Sequence, residues 1–309
     1  MQTVCPYTLQ PLKSIEVNGE HIIPMGLGVP SNFTVPASLN ENNRLNKELD
    51  SIFVNDSYIK FLAATGEVSS RSGPVSLTLD GVGVQSGTNV ACTFTHNDLQ
   101  PKVKRHITRN EDGTITVQGY PEQLESEFNR LRKDFAKKGM RIEKTDERAL
   151  DNEAVKLTMQ FDLFVAEKSI AKIAYLYAVS VFGDSFINST SAERFRLAFN
   201  SETKDIFDGL NFQGRFFLTD KNRNSPFQRL KKDDGHMLAI MGLNGGGNYI
   251  FVYVSLFGCV DGYYKIKKDF AVPSTLVSNV IVLNIDPSSK EITKRDLRDK
   301  DVIAAFLEQ

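Results

Sequence analysis

The chain of 309 residues holds only three cysteines, Cys5, Cys92 and Cys259, far apart and odd in number. They exclude a disulfide framework, and none has a second cysteine at CxxC spacing, so an autonomous zinc site is excluded too. No apolar run approaches the roughly 18 to 20 residues that cross a bilayer, which excludes a membrane-spanning helix and with it a membrane partner. The first residues carry neither the charged nor the apolar region of a signal peptide, so a cytoplasmic chain is expected. Charge of one sign is also missing: 37 Lys and Arg face 38 Asp and Glu, a formal net charge of -1. Any polyanion must therefore be held by local basic patches and not by the field of the whole molecule.

What is present suits a protein of more than one domain. With 41% hydrophobic and 24% charged residues the chain can bury sizeable cores, and its length predicts two or three of them. Residues 1–40 are rich in Pro, Gly, Asn and Ser around short apolar runs, which reads as short strands joined by turns. From Asn42 the period changes: Leu45, Leu49, Ile52 and Phe53 fall at i, i+4, i+7 and i+8, one apolar stripe on a helix that Asn40 or Asn42 would cap. Residues 68–120 alternate apolar and polar positions, with Asp112-Gly113 as a hairpin signal, and predict antiparallel sheet.

A helix is expected at about 121–139, where Leu124, Phe128, Leu131 and Phe135 share a face and Gly139 stops it. A longer helical region is expected over about 151–183 on the stripe Ala166, Ile170, Ile173, Ala174, Tyr177 and Val181, and a short one over 192–199. Strand patterns return over 215–218, 237–243, 249–256, 263–266 and 277–283, before a last helix at 301–308. The glycine-rich Asn244 to Asn248 joins two strands and leads into no helix, so it reads as a hairpin turn and not as a phosphate cradle. The fold class is α+β, with expected boundaries at 1–60, 61–150 and 151–309.

The run Gly19-Glu20-His21-Ile22-Ile23-Pro24, continuing to Leu27 and Gly28, places Glu20 fifteen residues after Cys5 and is followed by a helix opening near Asn42 and reaching Asp50. In this it resembles the EHIIP branch of the HNH endonuclease superfamily, whose motif continues as CxxCNxxFGxxxD. The resemblance covers residues 5–53, with a softer match at Lys172-Ile173-Ala174-Tyr175 and Phe182-Gly183-Asp184. It implies a ββα-metal unit at the N-terminus and a divalent-metal-dependent endonuclease. His21 would be the general base, since an imidazole with an ordinary pKa of about 6.5 suits proton abstraction near neutrality. Glu20 and Asn42 would hold Mg²⁺ or Mn²⁺, an oxygen donor set suited to a hard cation. Asn32, or else Thr34, would fix the tautomer of the base.

One departure is large. Thr8, Ser38 and Glu41 stand where relatives carry the remaining knuckle cysteines, so no structural zinc is expected, and residues 1–60 must borrow a core from elsewhere in the chain. DNA is the implied partner, with RNA as an alternative target and self-association open, in a restriction or phage-defence role. Lys102, Lys104, Arg105 and Arg109 in the sheet region, and Arg130, Lys133 and Lys137 on the 121–139 helix, are the candidates for phosphate contact; the second set is equally well explained as a solvated helix face. His96, His106 and His236 are expected to be structural or exposed. The alternative class is a nucleic-acid-binding or regulatory protein that keeps the HNH scaffold without turnover.

Overall fold

The structure is a computed structural model. It describes residues 2–70, 73–96, 98–103, 106–111, 114–118, 121–144, 154–210, 214–218, 235–242, 248–273 and 279–298. The chain forms two compact units, one of residues 76–160 and one that joins 1–75 to 161–309. Helices and antiparallel sheets occur together, and the fold class is α+β.

In the larger unit β1 (Val17–His21) pairs with β2 (Thr34–Ser38), Glu20 opposite Val35 and His21 opposite Thr34. The chain runs from β2 directly into α1 (Leu39–Leu45), a π-helical turn Asn46–Asp50, and α2 (Ser51–Asn55). Ser38 precedes this helix, and no side chain caps it. Asn40 and Asn42 thus lie inside the helix and not at its cap, a correction to the sequence expectation. The physical reason is continuity: Leu39 N–H already donates to the Glu16 carbonyl, so a first-turn donor is satisfied by backbone.

The π-turn also explains an unexpected exposure. Leu45, Leu49 and Phe53 are buried, but Ile52, expected on the same stripe, is 49% exposed. Steps of four residues drift by about 40° each in a regular α-helix. A wider turn at 46–50 absorbs the drift, so positions four apart stay on one face and Ile52 falls off it.

Asp56 then caps α3 (Ser57–Thr65), its carboxylate accepting from Tyr58 and Ile59 N–H. A two-stranded hairpin, β3 (Ser69–Ser70) with β4 (Gly73–Pro74), follows.

The smaller unit holds β5 (Leu77–Gly83), β6 (Asn89–Thr95), β7 (Asp98–Val103), a hairpin of β8 (His106–Arg109) with β9 (Ile115–Gln118), α4 (Pro121–Ala136) and β10 (Val155–Leu157). Its four-stranded sheet runs β10-β5-β6-β7, every pair antiparallel. Along β5 burial alternates, with Leu77 and Leu79 in and Thr78 and Asp80 out, the period expected of a half-buried strand.

Back in the larger unit, Asp162 caps α5 (Leu163–Phe182) by accepting from Val165 N–H. The helix begins later than expected from 151, because Val155–Leu157 pairs with β5 as a strand. It is buried nearly all round from Ala166 to Phe182, as a central core helix should be. Three shorter helices follow: α6 (Asp184–Ile187), α7 (Thr190–Phe199) and α8 (Lys204–Gly209). The chain then builds a six-stranded antiparallel sheet from β11 (Gly214–Leu218), β12 (His236–Met241), β13 (Tyr249–Leu256), β14 (Val260–Lys267), β15 (Asn279–Ile285) and β16 (Ile292–Arg298), in the order β11-β14-β13-β12-β15-β16. The last strand and the helices α6 and α8 had no expected counterpart, and the expected helix at 301–308 lies outside the described residues, as does most of the Asn244 to Asn248 turn.

Helix α5 lies on one face of this sheet. The approach is close at β14, where a Cβ on Gly262 would stand 2.1 Å from Ile170 Cγ2, so only glycine fits. Leu238, Ile240, Val252 and Val254 of the sheet share one core with Ile170, Ile173, Ala174 and Tyr177 of α5 and with Ile22, Leu27, Leu45, Leu49 and Phe53 of the first sixty residues. The apolar residues of the N-terminal segment are thus buried in a core shared with α5 and the six-stranded sheet. His236 adds a polar tie: its buried ring accepts from Phe257 N–H at Nδ1 (3.3 Å) and, by elimination, donates from Nε2 to the Leu27 carbonyl (2.7 Å).

Candidate active site

Between β1 and the helical run 39–55 lies a pocket of about 380 Å³. Asn18, Gly19, Glu20 and His21 line it from the strand, Met25 and Gly26 from the following turn, and Asn42, Asn46, Asp50 and Ser51 from the helix. Three residues singled out in the sequence, Glu20, His21 and Asn42, thus share one cavity. Adjacent strand residues point to opposite faces. Glu20 and His21 both border the pocket, but as neighbours in β1 they stand on opposite faces of the strand, with Thr34 across the pair from His21. The helical contribution at 42, 46 and 50 follows the same four-residue spacing as the core stripe and depends on the same π-turn.

The floor of the pocket is ionic. Glu20 is 1% exposed, and its Oε1 lies 2.5 Å from Lys172 Nζ, which also stands 2.5 Å from Asp50 Oδ2. Lys172 arrives from α5 and is 2% exposed. Two carboxyl groups thus face one ammonium in a desolvated place. Burial pushes the Glu20 carboxyl up; Lys172 opposes that shift and Asp50 reinforces it. For Lys172 burial acts downward, but Asp50 and Glu20 outweigh it and hold the ammonium above its usual range. The Tyr7 phenol is buried beside the same carboxylates and pushed well up, by its burial first and by Glu20 and Asp50 next. Glu20 Oε2 makes no hydrogen bond of good geometry among the described residues.

Asn42 donates through Nδ2 to Asn18 Oδ1 at 2.9 Å and to the Gly19 carbonyl at 3.3 Å. His21 is half-buried as a residue, and its ring nitrogen Nδ1 is buried. Of the two candidates for orienting that ring, Thr34 stands opposite His21 in the strand pair, whereas Asn32 is exposed in the turn before β2 and does not line the pocket.

The basic residues are placed less tightly. Arg130, Lys133 and Lys137 are exposed on or just after α4; Arg130 pairs with Glu127 and, at 3.6 Å, with Asp134, and Lys137 lies 3.8 Å from Asp134. Such i,i+3 and i,i+4 pairs describe a solvated helix face with partly neutralised cations. Lys102 and Arg109 fall in β7 and β8, but their side chains, like Lys104 and Arg105 altogether, lie outside the described residues. His96 is exposed, His236 is a buried structural residue, and the His106 side chain is outside the described residues.

Sequence reasoning missed Lys172 and Asp50 as partners of Glu20. A signal was present: Lys172 interrupts an apolar helical stretch between Ala171 and Ile173, and a lysine in such a place needs a buried acid. Which acid it meets depends on residues over a hundred positions away. Asn18 and Tyr7 gave no such signal.

Glu20 and Asn42 are oxygen-bearing residues of the kind a hard cation takes, but Asn42 turns its Nδ2 toward β1, and the Glu20 carboxylate is engaged by Lys172 and Tyr7. Among the described residues that line the pocket, no thiolate or second imidazole favours a softer ion. Comparison with protein-family models, with curated proteins and with solved structures found no match for this chain.

Proposed function

We propose that this chain is a divalent-metal-dependent endonuclease of the HNH type, hydrolysing phosphodiester bonds in DNA. The observation that carries the proposal is the single pocket of about 380 Å³ lined by Glu20, His21 and Asn42, the combination that the resemblance to the EHIIP motif implies. His21 takes the proton from the attacking water, a task suited to an imidazole near neutrality. Glu20 and Asn42 hold Mg²⁺ or Mn²⁺, with Lys172 and Asp50 keeping the Glu20 side chain fixed. The bound cation supplies charge neutralisation at the phosphoryl and leaving oxygens. Thr34, across the strand pair from His21, is the better placed residue to orient the ring. Phosphate contacts fall to Lys102, Lys104, Arg105 and Arg109 and to Arg130, Lys133 and Lys137, and the role that fits is restriction or phage defence in the cytoplasm.

The test is nicking of supercoiled plasmid with Mg²⁺ or Mn²⁺, wild type against His21→Ala. The wild type should nick and the variant should lose at least about a hundredfold, the usual contribution of a positioned general base. Equal rates remove His21 from the mechanism.

One observation favours a second reading. The Glu20 carboxylate already meets a cation, the Lys172 ammonium, which suits a scaffold that binds nucleic acid without turnover. DNA binding in gel shift, with no metal-dependent nicking in either protein, is its signature.

No helix among the described residues is long and apolar enough to cross a membrane.

A further inference from the structure

Pro24, Met25 and Gly26 form the pocket wall that the turn after β1 contributes, and a Cβ on Gly26 would meet Val54 of α2 at 2.8 Å. The tight turn Met25–Leu27 ends at Gly28, whose φ of 84° suits glycine. No described residue of the six-stranded sheet lines the pocket, yet one end of that sheet holds the turn. His236, the first residue of β12, stands opposite Ile285 of β15, and its buried ring reaches the Leu27 carbonyl at 2.7 Å. Gly28 rests so closely on the Pro287 carbonyl that a Cβ there would collide with it. Pro287 lies in the turn between β15 and β16, which the Asp286 carboxylate fixes by accepting from Ser288 and Ser289 N–H. Burial of Ile22, Ile23 and Leu27 holds this segment to the core, but apolar burial has no direction. The hydrogen bond to Leu27 does, and it sets how the turn faces the pocket.

We infer that His236 is a positioning residue for the pocket: through the Leu27 carbonyl it holds the turn 25–27 so that Met25 and Gly26 stand at a fixed distance from α2. Its bearing on turnover rests on the proposed function, in which this pocket is the nuclease site. Without the imidazole, the buried Leu27 carbonyl has lost its donor, and the turn shifts to find another. A displacement of about 1 Å in a catalytic pocket lowers turnover by up to about a hundredfold.

The test follows the Met25 methyl signal by NMR in the full-length chain made with methyl-labelled methionine, with plasmid nicking alongside. His236→Leu, of similar size and without ring nitrogens, should move the Met25 signal and lower kcat for nicking about ten- to a hundredfold, with KM for the plasmid little changed. His236→Gln keeps a donor for the Leu27 carbonyl and should return both readouts to wild-type values. A His236 that only stabilises the fold would make His236→Leu easier to unfold and leave the Met25 signal and kcat of the folded protein as in wild type. An unmoved Met25 signal in a folded His236→Leu overturns the inference and leaves the nuclease proposal standing, and so does an unchanged kcat in that variant. If wild type does not nick, the nuclease proposal falls and the Met25 signal alone decides the inference. Should His236→Leu not fold, a folded His236→Gln with a moved Met25 signal overturns the inference by itself.

Discussion

Acidification should weaken this protein through His236. The ring is 1% exposed, and burial lowers its pKa from 6.5 to about 4, with the bond to the Leu27 carbonyl and the nearby Asp286 carboxylate offsetting part of the effect. Protonation would place an N–H at Nδ1 against the Phe257 N–H that it now accepts from. The unfolded chain binds this proton near pH 6.5 and the folded chain near 4, so between those values the unfolded state holds more protons and stability falls as the pH falls. The contribution is complete above 6.5 and gone below 4. At about 1.4 kcal/mol for each pH unit between the two values it totals about 3 kcal/mol, of which about 2 kcal/mol is lost by pH 5.

Other groups titrate in the same range, and Glu20, pushed up by burial, acts in the opposite sense. The measurement is therefore a difference: urea unfolding of wild type and of His236→Gln at several pH values from 7.5 to 5. Glutamine offers a donor and an acceptor but does not titrate. Wild type should lose about 2 kcal/mol more than the variant over that span. Parallel pH dependences would refute the reasoning, because they would mean that the His236 proton is bound equally in both states.

Two further outcomes are expected. Lys172→Met should cost about 3 to 5 kcal/mol in urea unfolding, because it strands Glu20 and Asp50 without a counter-ion in a desolvated site; adding Glu20→Gln should recover part of that loss, and a loss below about 1 kcal/mol, the value of an exposed pair, would contradict the buried ion triad. A fragment of residues 1–60 should give a poorly dispersed NMR spectrum, since Ile22, Leu27, Leu45, Leu49 and Phe53 bury themselves in a core shared with α5 and the six-stranded sheet; a well-dispersed spectrum would show that the fragment needs no such partner.

Much of the fold is legible in local pattern. The alternation of β5 and the burial of α5 follow from hydrophobic period, the stop at Gly183 from its glycine, and Tyr249–Leu256 appears as a strand at its expected bounds. The failures have local causes that period cannot express. The π-turn at 46–50 moved Ile52 off its stripe, and pairing with β5 made a strand of Val155–Leu157 where helix was expected. The division of the chain into a unit of 76–160 and one joining its two flanks is set by contacts across more than eighty residues, which no window of sequence contains.

Glu20, His21 and Asn42 could be singled out as candidates because each offers its chemistry in its own side chain, at fixed spacing along one stretch of chain. Their gathering around one pocket, the arrival of Lys172 between Glu20 and Asp50, and the turning of the Asn42 amide by Asn18 were not. Residue type fixes what a group can donate, accept or ionise. Which partner it meets, how much water it keeps and which charge it feels depend on distance in space, and that was decided only when α5 and the helical run 39–55 packed into a common core.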